Sequence, residues 1–230
     1  MKKSKRVKKS NSWRIKQHRD LFFKKSKRVK KSNSWRIKQH RDQFFKKSKT
    51  LGYRSRASFK LIQLNDKFKF LKKNIKLLDF GASPGGWSQV ASKLIISGKI
   101  LSIDIKAMDP LENVEFMKCD ILDDDTENKI ISFFNGKLDV IISDMAADTT
   151  GNKSLDSIRT NQLCSEVINL SSKILKPKGV LVSKLFMGDD FLEVKNLAKS
   201  MFHNVNFFKP ESSRDESKET YVHCKILKTL

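Results

Sequence analysis

A chain of 230 residues with 38% hydrophobic content has room for one α/β domain with a real core and for an appendage. Its formal charge of +23 is lopsided: the first 50 residues hold 21 Lys and Arg against Asp20 and Asp42, leaving only +4 for the rest. Cys119, Cys164 and Cys224 lie far apart without disulfide or zinc spacing, no apolar run reaches membrane-spanning length, and the start lacks the apolar core of a secretory signal. These features point to a reducing, cytoplasmic setting without a membrane.

Residues 1–50 read as a basic, flexible arm, and residues 51–230 as the domain. Within the arm KKSKRVKKSNSWRIKQHRDLFF (Lys2 to Phe23) recurs as KKSKRVKKSNSWRIKQHRDQFF (Lys24 to Phe45), differing only where Leu21 becomes Gln43. A solenoid needs three or more units with apolar faces to stack, so this repeat is a tandem duplication and not a fold. Only the second copy leads directly into the domain, and the first is expected to be dispensable. Such a charge density attracts polyanions, with release of their counterions, which makes nucleic acid the expected partner. A solubility tail or a cationic membrane-surface segment is the alternative, but Trp13, Trp35 and the Phe pairs are sparse for an interfacial helix. A transit peptide is disfavoured because Lys outnumbers Arg and the segment repeats.

From Tyr53 onward strand-like and helix-like periods alternate. RSRASFKLIQLNDKF reads as a helix with Phe59, Leu61, Ile62 and Leu64 on its apolar face. LLDFG follows as a strand, Trp87 to Ile96 as a helix, KILSID and VEFMKCD as strands, Thr126 to Phe134 as a helix and LDVIISD as a strand. A helix over Leu155 to Leu175, the strand GVLVSKLF, a helix from Phe191 to Ser200 and the strands VNFFK and ETYVHCKIL complete the chain. Strands alternating with helices imply a mostly parallel sheet with right-handed crossovers. Two closing strands with no helix between them imply an antiparallel last strand, unlike an ordinary dinucleotide-binding domain.

The stretch LLDFGASPGGWSQ places a glycine loop after the first strand. There a nucleotide can approach the backbone, with a carboxylate about 20 residues on to hold ribose hydroxyls. Gly81 closes the strand, and Asp104 ends KILSID 23 positions later. A pyrophosphate would need free N–H groups at the helix start, and Pro84 has none to offer. The loop therefore suits a nucleoside cofactor without phosphates. Pro84 fixes φ near the helix start, while Gly85 and Gly86 leave room for a carboxylate and methionine chain, a description that S-adenosylmethionine satisfies. A purely structural glycine turn is the plainer alternative. Asp120, expected to end the third strand, reads either as an adenine contact or as a helix cap.

Asp144 follows the apolar run DVIIS, which puts a carboxylate at the end of the fourth strand. Lys184 follows GVLVS, within an apolar element where an unpaired lysine is costly. Either could be an ordinary strand-end residue; both on the same edge of adjacent strands favour a site.

The chain resembles the FtsJ (RrmJ, RlmE) family of heat-shock-type 2′-O-ribose methyltransferases of large-subunit ribosomal RNA. The resemblance runs from about Ser32 to the C-terminus. It rests on GYRSRASFKL, LLDFGASPGGWSQ, IDIKAMDP, ISDMAADTTG, VSKLFMG and KPESSRDESKETY, in order and at family spacing. It implies a Rossmann-like, S-adenosylmethionine-dependent fold, and a catalytic set falling on Lys60, Asp144, Lys184 and Glu219. It implies cofactor contacts from Gly81, Ser83, Pro84, Gly85, Gly86, Trp87, Asp104, Asp120 and Asp144, with no metal. The substrate implied is a uridine of large-subunit RNA, bound by a monomer. SDMAAD stands where the family has SDMAPN, and KLFMG where it has KVFQG. A ribose 2′-hydroxyl must lose its proton as it attacks, and the resemblance favours Lys184 as acceptor, with Asp144 positioning it and Lys60 and Glu219 holding the hydroxyl. Arg54, Arg56 and Arg214 flank these motifs and are read as RNA-phosphate contacts or plain solvated charges, and Trp87 as core beneath the glycine loop. The alternatives are methylation of tRNA or messenger caps, or a non-catalytic RNA-binding protein of the same fold.

Overall fold

The computed structural model describes residues 42–228, so the first copy of the repeat and nearly all of the second lie outside the described residues. The chain divides into two units, Met1–Lys46 and Lys47–Leu230. Asp42 caps the start of helix α1 (Gln43–Thr50), its Oδ1 accepting from the N–H groups of Phe44 and Phe45 at 3.1 Å.

In the second unit the order is α2 (Ser58–Phe68), β1 (Lys76–Phe80), α3 (Gly86–Leu94), β2 (Lys99–Asp104), β3 (Glu115–Lys118), α4 (Thr126–Phe134), β4 (Leu138–Ser143), α5 (Lys153–Ile174), β5 (Leu175–Phe186), α6 (Phe191–Met201), β6 (Phe202–Phe208) and β7 (Glu219–Leu227). One seven-stranded sheet runs β3-β2-β1-β4-β5-β7-β6, with β7 antiparallel to both β5 and β6 and the other pairings parallel. The alternating pattern and the antiparallel last strand read from the sequence are both present.

Helices cover both faces, because the central strands are apolar on both sides. Leu77, Val140, Ile142, Val180 and Val182 pack with Leu61 and Leu64 of α2 and Trp87 and Val90 of α3. Leu78, Phe80, Ile141, Leu181 and Leu185 face the opposite way, against Ile130 and Phe134 of α4, Val167 and Ile168 of α5 and Val194 of α6. The period of two also decides where polar residues go. Lys184 shares its face with Val180 and Val182, and Glu219 shares its face with Tyr221, so both project toward the α2 side.

The boundaries of β3 and β5 differ from expectation. β3 stops at Lys118, two residues short of Asp120, because Asp120 belongs to the following turn: its Oδ1 accepts from Leu122 N at 3.1 Å and its carbonyl from Thr126 Oγ1 at 2.7 Å. β5 begins at Leu175, not Gly179, since Leu138 pairs with Leu175 before the register shifts and resumes at Val140 and Val180.

Candidate active site

The four residues of the expected catalytic set meet at one end of the sheet, on the α2 side. Lys184 Nζ lies 2.8 Å from Asp144 Oδ1 and donates to the Asp144 carbonyl at 2.6 Å. Lys60 Nζ lies 2.7 Å from the Glu219 carboxylate, whose Oε1 also accepts from Ser213 Oγ at 2.7 Å. Tyr221, fully buried between the two pairs, donates to Asp144 Oδ1 at 2.6 Å, and Lys60 Nζ stands 5.9 Å from its ring centroid.

Cross-strand register explains the convergence. Lys184 pairs with Tyr221 and Phe186 with Glu219, so three of the polar groups occupy neighbouring positions on β5 and β7. Asp144 is the first residue past β4, and Lys60 comes from α2, which lies over that face. Burial alone would raise the Asp144 carboxyl. The Lys184 and Lys60 ammonium groups, with hydrogen bonds from Lys184 and Tyr221, overcome that and hold it below its ordinary value. Burial first, then the Asp144 and Glu219 charges, push the Tyr221 phenol well above its ordinary value, so it stays a donor. Sequence reasoning missed Tyr221, although its place two residues after Glu219 in a strand puts it on the same face.

Beside this cluster lies a cavity of about 560 Å3, a size suited to a nucleoside-type ligand. Gly81, Ser83, Asp104, Asp120 and Asp144 line it, together with Met145 and Ala147. Asp104 is fixed at both oxygens, accepting from Ser83 N at 2.9 Å and from Lys106 N at 2.7 Å, and each oxygen keeps a lone pair for a further donor. Gly81 takes a φ of 72°, and a Cβ there would strike the Met145 side chain, so the glycine lets the Asp144 loop close on the end of β1.

The rest of the glycine loop also packs against the segment that leads into α2. Pro84, Gly85, Gly86 and Trp87 are not among the cavity-lining residues. The Ser83–Pro84 peptide is cis, and Gly85, at a φ of 103°, precedes α3. A Cβ on Gly85 would lie 2.6 Å from Arg54 Nη1, and one on Gly86 would strike Ser55. These glycines therefore admit the segment leading into α2. Trp87 is core, as read, and its Nε1 donates to Ala57 O at 2.8 Å while its ring lies 5.6 Å from that of Tyr221.

Arg54 acts as a structural clamp. Its guanidinium donates to the carbonyls of Pro84 at 3.2 Å and of Asp109 and Pro110 at 2.7 Å, tying the glycine loop to the loop after β2. Arg56 donates to Ser212 O, and burial followed by the charge of Arg214 lowers its guanidinium from the ordinary value.

Solved structures share this architecture. A Plasmodium falciparum chain described as a ribosomal RNA methyltransferase superposes with a TM-score of 0.68 at 34% identity, covering 76% of this chain and 98% of that one. Human methyltransferase-like protein 13, solved in complex with SAH, shares the fold at a TM-score of 0.53 and 16% identity, covering 74% and 79%. Fold and site together define a methyltransferase of Rossmann-like architecture. The pattern describing FtsJ-like methyltransferases matches residues 53–227. The ribosomal RNA large subunit methyltransferase E of Pelagibacter ubique is 46% identical over 177 residues, which cover 77% of this chain and 87% of that protein. The chain belongs to the FtsJ-like methyltransferase family.

Proposed function

We propose that this enzyme methylates the ribose 2′-hydroxyl of a uridine in large-subunit ribosomal RNA, with S-adenosylmethionine as methyl donor. The observation that carries the reading is the pairing of Lys184 with Asp144 and of Lys60 with Glu219, in a cluster whose Asp144 also lines the cavity that holds Asp104. The large-subunit RNA follows the Pelagibacter relative's name, and the uridine 2′-hydroxyl follows the motif resemblance. All four side chains come from one chain, so a monomer suffices, and three buried free cysteines suit the reducing cytoplasm.

The cavity fits the cofactor by its donor set. Asp104 and Asp120 offer carboxylates for ribose hydroxyls and an adenine amine, and Asp144 stands where cavity and tetrad meet. The donor, when bound, supplies a methyl carbon made electrophilic by a sulfonium. The chain's own residues handle the acceptor. Asp144, through its carboxylate and its carbonyl, fixes Lys184 Nζ, which in its amine form takes the hydroxyl proton. Lys60 and Glu219 hold the hydroxyl in place, and Tyr221 keeps Asp144 ionised and oriented. Alignment of the attacking oxygen supplies the remaining acceleration.

The test is incubation with labelled S-adenosylmethionine and ribosomal subunits or their RNA, with tRNA and capped messenger RNA in parallel, followed by mapping of the methylated ribose. Label in a large-subunit uridine 2′-O-methyl group is expected. Label only in tRNA or caps would move the substrate, and RNA binding without transfer would leave a non-catalytic binder.

A further inference from the structure

The sheet splits at the catalytic edge. β4 and β5 pair as far as Ser143 and Ser183, after which Asp144 leaves the strand while β5 continues through Lys184 to Phe186. Those last residues are paired with β7 on one side, where Phe186 faces Glu219. On the side that β4 has left, Phe186 would present a bare N–H and C=O, a costly arrangement away from water. Asn161 of α5, only 1% exposed, answers both: its Nδ2 donates to Phe186 O at 3.0 Å and its Oδ1 accepts from Phe186 N at 2.7 Å. One carboxamide thus stands in for the missing strand. The residue before it holds the other branch of the split. Thr160, equally buried, accepts from Ala147 N at 3.2 Å and donates to Asp156 O at 2.8 Å, tying the chain just past Asp144 to the same turn of α5.

We infer that Thr160 and Asn161 are positioning residues for methyl transfer: adjacent side chains on α5 that set how far the ends of β4 and β5 diverge, and through this the geometry of Asp144 and Lys184. The inference rests on the reading of Lys184 as proton acceptor. Neither side chain is a member of the tetrad, and neither is among the residues that sequence reasoning singled out. Their effect is carried by backbone: Asn161 fixes the strand end two residues beyond Lys184, and Thr160 the loop three residues beyond Asp144. A displacement of about 1 Å between reacting groups can lower a rate by about a hundredfold, so a small change in the split is enough to be read.

Asn161→Leu keeps the size of the side chain and removes both bonds to Phe186, while Thr160→Val keeps the shape and removes the bond to Ala147. Three readings are taken on the full chain: turnover on ribosomal subunits at saturating cofactor, the Kd for S-adenosylmethionine by calorimetry, and the rate at which formaldehyde and borohydride label Lys184, followed by mass spectrometry. Expected are a fall in turnover of about tenfold to a hundredfold for Asn161→Leu and about threefold to tenfold for Thr160→Val, cofactor Kd within about twofold, and Lys184 labelled at least about threefold faster as its hold on Asp144 loosens. Because labelling needs no turnover, a wild-type protein that fails to methylate RNA overturns the functional reading and leaves labelling to decide the positioning role. Unchanged Lys184 labelling in both folded variants overturns it, as does lowered thermal stability with unchanged turnover per folded molecule. If Asn161→Leu does not fold, Thr160→Val decides by the same readings.

Discussion

Lys184 and Asp104 separate the two halves of the site, and substitutions should separate them too. Lys184→Ala is expected to abolish methyl transfer while leaving cofactor affinity within about a few-fold, because its amine bonds to Asp144 and serves the acceptor. A loss of affinity matching the loss of rate would remove that role. Asp104→Ala should instead weaken S-adenosylmethionine binding by about 1 to 3 kcal/mol, the cost of leaving hydrogen-bonding groups without a partner, measured by calorimetry. A third carboxylate, Asp79 of β1, is buried beneath the loop, with Ser88 Oγ donating to its Oδ2 at 2.6 Å. Burial, reinforced by the charges of Asp144 and Asp104 and opposed by the Ser88 bond, raises this carboxyl from its ordinary 3.8 to about 7. A raised carboxyl means the folded state holds the proton more tightly than the unfolded chain, so its contribution to stability is complete below about pH 4 and lost as pH rises through about 7. Asp79→Asn should therefore gain stability relative to the wild type across that window, by up to ~4 kcal/mol, and level off above it. Thermal melts in which the difference between the two proteins does not vary with pH would contradict the assignment.

At the scale of elements, the succession of strands and helices along the chain was legible because apolar runs and their periods determine it. Lys184 inside GVLVSKLF and Glu219 opening ETYVHCKIL could be placed on strands from the sequence. Their pairing across β5 and β7 could not, since register depends on the partner strand. Asp144 and Lys184 could be read from their strand-end positions, Lys60 and Glu219 came through motif resemblance, and the geometry explains how all four meet. What packs against the glycine loop could not be read locally, because proximity in sequence does not report proximity in space. Gly85 and Gly86 lie next to Gly81 in the chain, yet the groups that crowd them belong to Arg54 and Ser55, some thirty residues earlier. Nothing local to GASPGG announces that clamp. Arg54→Ala removes the guanidinium from three carbonyls on two loops that flank the cavity. It should weaken cofactor binding by about 1 to 3 kcal/mol and leave the salt dependence of RNA binding unchanged. If cofactor affinity held while the salt slope fell by about one, Arg54 would be a phosphate contact after all.

At the scale of the whole molecule the charge is divided unevenly: +19 of the formal +23 lies in the first 50 residues, and the domain that carries the site is close to balanced. Acids gather around the cofactor cavity, where Asp104, Asp120, Asp144 and Asp148 all line the wall, so the domain itself offers phosphates no uniform attraction. The arm is the segment suited to supply that attraction, and its duplication provides a natural experiment. Deleting Lys2 to Phe23 removes nine cations, Lys2, Lys3, Lys5, Arg6, Lys8, Lys9, Arg14, Lys16 and Arg19, while the second copy still leads into the domain. Each phosphate neutralised contributes close to one unit to the slope of log affinity against log salt on duplex, and somewhat less on single strands. Only some of the nine will meet phosphate at once, so the slope should flatten by about two to four, with weaker RNA binding at low salt. Turnover at saturating RNA should hold, because Lys60, Asp144, Lys184 and Glu219 all lie far beyond the deletion in the chain and are fixed by contacts within the domain. An unchanged salt slope would show that the first copy meets no phosphate, and a large fall in turnover at saturating RNA would show that it places the target ribose and does more than raise the local concentration of RNA.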